Sequence, residues 1–195
     1  MTVAFALGNG VSRKIIDLTR IKPLGPIYGC NALYREFEPD VLVATDRPIA
    51  QRIQESGYSK KHRFYTRRPL NNSGALPIPK KYHGNSSGPI AVAIASLDGH
   101  RRIYMLGFDM GPVDTDKFNN IYADTEFYKS TQSVPTYTGN WVRQLIQVAK
   151  DFPTVEFVRV VGATTATIPD FSLQRNISHL PMQDFVHRIN TQEDL

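Results

Sequence analysis

Short apolar segments that alternate with helix-like segments restrict the fold of this sequence more than any other feature. Several of them are continuously apolar, which is typical of strands covered on both faces of a sheet. The predicted strands are residues 3–7, 27–28, 40–45, 101–109 and 154–162. The predicted helices between and after them are residues 48–56, 87–97 and 140–151. This alternation predicts an α/β fold, Rossmann-like, with a mostly parallel sheet and helices on both faces.

The length of the chain fits one domain. With 195 residues, 41% of them hydrophobic, we expect a single α/β domain over residues 1–195. Residues 110–138 are polar and aromatic and predict a lid-like loop, because loops this long are usually lids, binding loops or disordered inserts. Residues 163–195 form a C-terminal extension, for which we expect an edge strand and a closing helix. The core contacts expected there are Leu180, Met182, Phe185 and Ile189.

Charge and cysteine content limit the partners and the compartment. The net charge of +5 suits an anionic partner such as a nucleotide, a sugar phosphate or nucleic acid. Nucleic-acid binding is suggested by the basic residues 60–68, although such clusters are usually solvated faces. The single cysteine, Cys30, excludes an internal disulfide. No apolar run has the length of a membrane span, and residues 1–7 resemble a strand and not a signal peptide. We therefore expect a cytoplasmic protein. A bacterial or phage origin would suit these features, and homo-oligomerisation is left open.

Polar and small residues follow the predicted strands, where ligands bind in open α/β sheets. Gly8, Asn9, Gly10 and Ser12 follow the first strand, which is a richer loop than a simple turn requires. The other candidates at the ends of strands are Asn31, Asp46 and Asp109. At the start of the predicted buried helix, Ser86, Ser87 and Gly88 would offer free N–H groups to a phosphate. Together these candidates predict a nucleotide site.

Each of these signals has a structural alternative. The glycine loop could be only a turn, and it is not the dinucleotide fingerprint G-x-G-x-x-G, because position 13 is Arg. Asn31 could cap a helix, and Asp109 could cap the long loop. The "DTD" at 114–116 resembles the metal-binding DxD of many glycosyltransferases, but a polar loop matches three residues easily. We therefore predict no metal and no cofactor other than a nucleotide or nucleotide sugar as ligand.

Several segments resemble one family in the same order along the chain. The segments "GNGVSRKIIDLTRI" and "IYGCNALY" resemble the start of the bacterial lipooligosaccharide sialyltransferase family, which has G-N-G-P-S and R-C-N-x-x-Y. They are also similar to the hydroxymethylpterin diphosphokinase-like group. The resemblance continues through "NSSGPIAVAIASLDGHRRIYMLGFDM", "NIYA" and "FVRVV", and so covers roughly residues 3–160.

The resemblance implies specific roles. Asn9 and Asn31 would contact a CMP-type nucleotide, and residues 86–88 would hold its ribose or phosphate. Tyr122 would stand where the family places a lid tyrosine that meets the departing phosphate. Tyrosine hydroxyls in that position imply metal-independent transfer, because they stabilise leaving-group charge.

The sequence also departs from the family pattern. Val11 replaces the proline, Met110 replaces the first phosphate tyrosine, and Tyr137 or Thr138 stands in place of the general-base histidine. An ordinary tyrosine pKa of about 10 suits a general base poorly at neutral pH. We therefore expect a glycosyltransferase-like protein in which Asp109 or Asp46 replaces the base, with Tyr122 and Tyr137 as further catalytic candidates. The alternatives are a non-catalytic nucleotide-binding protein and a structural protein that retains the fold.

Overall fold

Eight parallel strands form one sheet. The computed structural model describes residues 2–191 and residue 195; Met1 and residues 192–194, which belong to the predicted domain and extension, lie outside the described residues. The strand order is β5-β4-β3-β2-β1-β6-β7-β8, and every pairing is parallel. The strands are β1 Val3–Leu7, β2 Ile27–Cys30, β3 Val41–Ala44, β4 Arg63–Thr66, β5 Leu76–Pro77, β6 Arg102–Leu106, β7 Glu156–Val161 and β8 Ile177–Pro181.

Helices cover both faces of this sheet. The α-helices are α1 Leu18–Ile21, α2 Arg47–Glu55, α3 Ser87–Leu97, α4 Gly139–Asp151, α5 Pro169–Ser172 and α6 Met182–Thr191. Alternate residues of β1 face opposite sides of the sheet. Ala4 and Ala6 pack in the core with α3 and α4, whereas Phe5 and Leu7 pack with α2 and α6. The predicted α/β, Rossmann-like fold with helices on both faces is confirmed.

The C-terminal segment completes the sheet. β8 is an edge strand beside β7, and α6 follows it directly, as expected. Met182 and Phe185 are buried, and Leu180 and Ile189 are partly buried against the same core. The extension is therefore built into the main fold.

The strand order places a topological switch point between β1 and β6. From β1 the chain adds β2 to β5 on one side, and it then returns to add β6 to β8 on the other side. In open α/β sheets, ligands bind at the carboxyl edge of the strands next to such a switch point, which here carries the loops after β1 and β6. β6 ends at Leu106, earlier than predicted, so Gly107, Phe108 and Asp109 lie in this edge loop.

Candidate functional site

A cleft of about 270 Å³ lies at this switch point. The predicted site residues that line it are Gly8, Asn9, Gly10, Asn31, Asp46, Ser86, Ser87, Gly88 and Asp109. Ten further residues line the cleft: Cys30, Thr45, Pro89, Gly107, Phe108, Met110, Gly111, Asn119, Asn120 and Trp141. The fold thus gathers the loops after β1, β2, β3 and β6 and the start of α3 around one space.

The two asparagines present free amide donors to the cleft. Asn31 Oδ1 accepts a hydrogen bond from Ser87 Oγ at 3.0 Å, and Asn9 Oδ1 lies 3.7 Å from Cys30 Sγ. Among the described residues, neither Nδ2 group has a hydrogen-bond partner. Asn31 has a φ of 54°, in the left-handed region that asparagine tolerates better than most residues. Both side chains are therefore oriented through their oxygens and retain N–H groups for a ligand.

The start of α3 is open on the cleft side. Ser86 N–H donates to Gln144 Oε1 at 2.9 Å, and no side chain caps the helix. Within the described part of the chain, the N–H groups of Ser87 and Gly88 meet no acceptor. Unpaired N–H groups and the helix dipole together favour an anion at such a position. The Ser87 hydroxyl is already engaged, because it donates to Asn31 and accepts from Thr45 N–H at 3.1 Å.

Asp109 connects the loops that surround the cleft. Asp109 is 3% exposed, and its carboxylate receives five donors, more than the roughly four lone-pair sites of a carboxylate. The donors are Ser12 N–H and Oγ–H, Asn119 Nδ2–H, Thr164 Oγ1–H and Thr165 Oγ1–H. These contacts tie together the loops after β1, β6 and β7 and the long loop of residues 110–138. The geometry fits a positioning role better than proton transfer, because every acceptor site is used.

Arg159 holds the loops after β6 and β7 in place, and it is not among the residues predicted from the sequence to form the site. Its guanidinium donates to the carbonyls of Phe108, Asp109 and Ala166 at 2.8–2.9 Å. Burial lowers the pKa of Arg159 to about 10, and the nearby Asp109 carboxylate opposes this shift. A charged residue inside the apolar segment "FVRVV" was the available signal, because a buried charge needs partners.

The glycines after β1 are required by packing between two loops. A Cβ atom on Gly8 would lie 2.5 Å from Gly107 O, and one on Gly10 would lie 2.4 Å from Asp109 Cγ. Neither glycine has a positive φ. They therefore allow the β1 loop to touch the β6 loop, a structural reason that the sequence interpretation did not include.

Three predicted site residues lie outside the lining of the cleft. The Ser12 hydroxyl is bonded to Asp109, and Tyr137 is 76% exposed at the start of α4. The Tyr122 hydroxyl lies between Arg13, which donates to it at 2.8 Å, and Glu36, which accepts from it at 2.6 Å. Burial is the largest cause that raises the pKa of Tyr122 far above its ordinary value. Tyr122 is thus a neutral donor that ties the long loop to the body of the protein.

The long loop forms one wall of the cleft. Among its described residues it contains no helix and no strand, apart from a bridge between Val113 and Lys117. Its Asn119 Oδ1 accepts from Val11 N–H, and its Ile121 N–H donates to Asn9 O at 2.7 Å. Asn119 and Asn120 consequently line the site, and two adjacent amides in a long loop were the signal that could have found them.

The state of Cys30 and the positions of possible metal ligands limit the chemistry of the site. Burial raises the pKa of Cys30 to about 12, so its thiol stays protonated near neutral pH. Among the described residues, no three His, Cys, Asp or Glu side chains are grouped so that they could hold a metal ion. Within the same part of the chain, no helix has the length and apolarity needed to cross a membrane.

Comparison with known proteins yields one similar solved structure. No protein-family model and no curated protein matches the chain. The chain is similar to the sialyltransferase CstII from Campylobacter jejuni, analysed in complex with a substrate analogue, cytidine-5'-monophosphate. The sequences are 16% identical, the TM-score is 0.47, and the similarity covers 82% of this chain and 79% of that chain. At these values the similarity assigns no function to this chain.

Proposed function

We propose that the cleft binds a nucleotide or nucleotide sugar of the CMP type. One observation carries the proposal: two asparagine amides with free donors and the open N–H groups at the start of α3 line the same cleft at the switch point. The amides of Asn9 and Asn31 would donate to carbonyl oxygens of the base or to the ribose. The N–H groups of Ser87 and Gly88 would receive the phosphate. The ordered resemblance to sialyltransferase segments supports the choice of CMP.

The reaction that this arrangement suits best is glycosyl transfer, with Asp46 as the base. Asp46 is exposed and lines the cleft, and among the described residues its carboxylate accepts no hydrogen bond. It can therefore take a proton from an acceptor hydroxyl, whereas the Asp109 carboxylate is saturated. Charge on the departing phosphate would be met by the start of α3, because Tyr122 lies elsewhere. We propose that the reaction is independent of added metal, as the resemblance implies.

Transfer and hydrolysis of CMP-sugars by the purified protein, with and without EDTA, test this function. We expect turnover that EDTA leaves unchanged and that Asp46→Asn reduces at least about a hundredfold, because general-base catalysis contributes roughly 10²–10⁴-fold. Asp184→Asn, which alters an exposed carboxylate on α6, is the matched control and should keep full turnover. Equal turnover in wild type and Asp46→Asn would exclude Asp46 as the base.

A second function is favoured by a different observation. Two of the predicted catalytic residues, Asp109 and Tyr122, are committed to structural hydrogen bonds. This favours a protein that binds a nucleotide without converting it. Stoichiometric CMP binding without product after hours of incubation with CMP-sugars would select this function over glycosyl transfer.

A further inference from the structure

A second cavity opens beside the nucleotide cleft. It has a volume of about 420 Å³ and lies between the start of α2 and the loop that follows β4. Thr45 and Asp46 line both spaces, so the two cavities meet at the residue proposed as the base. A molecule bound in the second cavity would therefore lie next to a molecule bound in the first.

The lining of the second cavity is strongly cationic. Arg47, Arg67 and Arg68 line it, and Asp46 is the only acidic lining residue in the part of the chain that the structure describes. Among the described residues, the guanidinium groups of Arg47 and Arg68 form no ion pair and no hydrogen bond. Unpaired guanidinium groups around a concavity are suited to a carboxylate, sulfate or phosphate, which they bind through parallel N–H donors.

The wall that carries these arginines is held in place. Arg67 donates from Nε to His83 O at 2.8 Å and from Nη2 to Asn85 O at 2.7 Å. Gln54 is 5% exposed and bonds Arg68 O, Leu70 N–H and the Ser73 hydroxyl. The loop after β4 is thus fixed against α2. This order fixes the backbone that carries Arg67 and Arg68, so both side chains extend from one defined rim of the cavity.

Strand β4 also divides the basic segment 60–68 into two parts. Arg63, at the start of the strand, forms an ion pair with Asp98, and His62 Nδ1 lies 3.3 Å from Glu38 Oε1. Arg67 and Arg68 follow the opposite end of the strand, at the carboxyl edge. The basic segment is therefore not one continuous surface for a nucleic-acid backbone, because Lys60 and Lys61 lie before the strand, whereas Arg67 and Arg68 lie after it, at the second cavity.

We propose that the second cavity is an oxyanion subsite for the second substrate, and that the acceptor is a small sugar that carries a carboxylate or sulfate group. The inference rests on the proposed function, because it takes the occupant of the first cleft to be the donor. Arg47 and Arg68 hold the acceptor's anionic group. Asp46, between the cavities, then faces the acceptor hydroxyl that receives the glycosyl group.

Calorimetric titration with sulfate and with sugar probes, in chloride buffer at low ionic strength, tests the subsite. We expect sulfate and galacturonate to bind at saturating CMP as well as without it, and galactose not to bind. Arg47→Ala and Arg68→Ala should each weaken sulfate and galacturonate binding at least about tenfold, which corresponds to about 1.4 kcal/mol, because each removes charge-assisted hydrogen-bond donors. The matched control is Arg175→Ala, which removes an exposed arginine outside the cavity and should change affinity less than twofold.

The outcomes separate this inference from the proposed function. If CMP does not bind but sulfate binding still depends on Arg47 and Arg68, the nucleotide proposal fails and the oxyanion cavity stands. Equal weakening by Arg175→Ala, or displacement of sulfate by CMP, would overturn the subsite. Displacement of sulfate by a single-stranded oligonucleotide that binds more tightly than galacturonate would overturn the small acceptor. Unchanged melting temperatures verify that each variant is folded.

Discussion

A substitution at Gly10 tests whether this glycine is required by the close packing of the loop after β1 against the loop after β6. Gly10→Ala should destabilise the protein by about 1–3 kcal/mol, because its new Cβ would overlap the Asp109 carboxylate and force the loops apart. For a chain of this size that corresponds to a loss of about 3–10 °C in melting temperature. Gly84→Ala is the matched control, since a Cβ there meets nothing within 4 Å and should leave the melting temperature unchanged or slightly raised. An equal effect of both substitutions would contradict the packing explanation.

Residue identity predicted the position of the candidate site better than it predicted residue roles. Asn9, Asn31 and Ser87 follow strands or begin a helix, and parallel topology brings such positions to one edge whatever their side chains do. The role of Asp109 depends on partners up to 97 residues away in sequence, such as Ser12. Local sequence does not reveal such partners, and for the same reason it could not show that Tyr122 binds Glu36.

The elements at the amino-terminal edge of the sheet carry a predicted pH dependence. The Tyr28 hydroxyl donates to Asp98 at 2.6 Å, so His100 Nε2 donates to the Tyr28 hydroxyl at 3.0 Å. His100 Nδ1 is buried and has no hydrogen-bond partner among the residues that the structure describes. Burial lowers the pKa of His100, although the Asp98 charge opposes this shift. The unfolded chain therefore binds the proton more tightly, and the free energy of unfolding should fall as the pH decreases below about 6.5.

Urea denaturation between pH 7.5 and 5 measures this effect. His100→Gln, which keeps a side-chain donor for Tyr28, should show a shallower loss of stability than the wild type. Part of the slope should remain, because burial also lowers the pKa of His179, with the Arg159 charge acting in the same direction. An identical slope in wild type and His100→Gln would show that another group is responsible.

Element prediction succeeded where apolar length or helical pattern was sufficient. β1 and α3 have the predicted bounds, residues 3–7 and 87–97, because Gly8 marks the end of the strand and Ser87 and Pro89 mark the start of the helix. β4 and β5 were missed. β4 has the sequence "RFYT" within a basic segment, and β5 is two residues long and includes a proline. Both are defined by pairing with a neighbouring strand, which single-sequence patterns do not report.

At the scale of the whole molecule, the strand order explains why one region holds the functional candidates. The main cleft lies at the carboxyl ends of β1 and β6, where the chain changes the side of the sheet to which it adds strands. The cationic cavity lies beside the adjacent ends of β3 and β4. Alternation of strands and helices predicted a sheet of this kind, but the order of its strands depends on crossovers that leave no local signal. Nucleotide binding in the main cleft is therefore the property on which the proposed function depends.

Thermal unfolding with CMP at about 100 times its dissociation constant measures this claim most directly. Binding at that concentration adds about 2.7 kcal/mol, so the wild type should melt about 5–10 °C higher. Asn9→Ala and Asn31→Gly, the latter chosen because Asn31 has a φ of 54°, should abolish most of the shift. Asn71→Ala and Asn72→Gly, the latter at a φ of 58°, are matched controls outside the cleft and should retain it. No shift in the wild type, or equal shifts in all five proteins, would contradict a nucleotide site at the switch point.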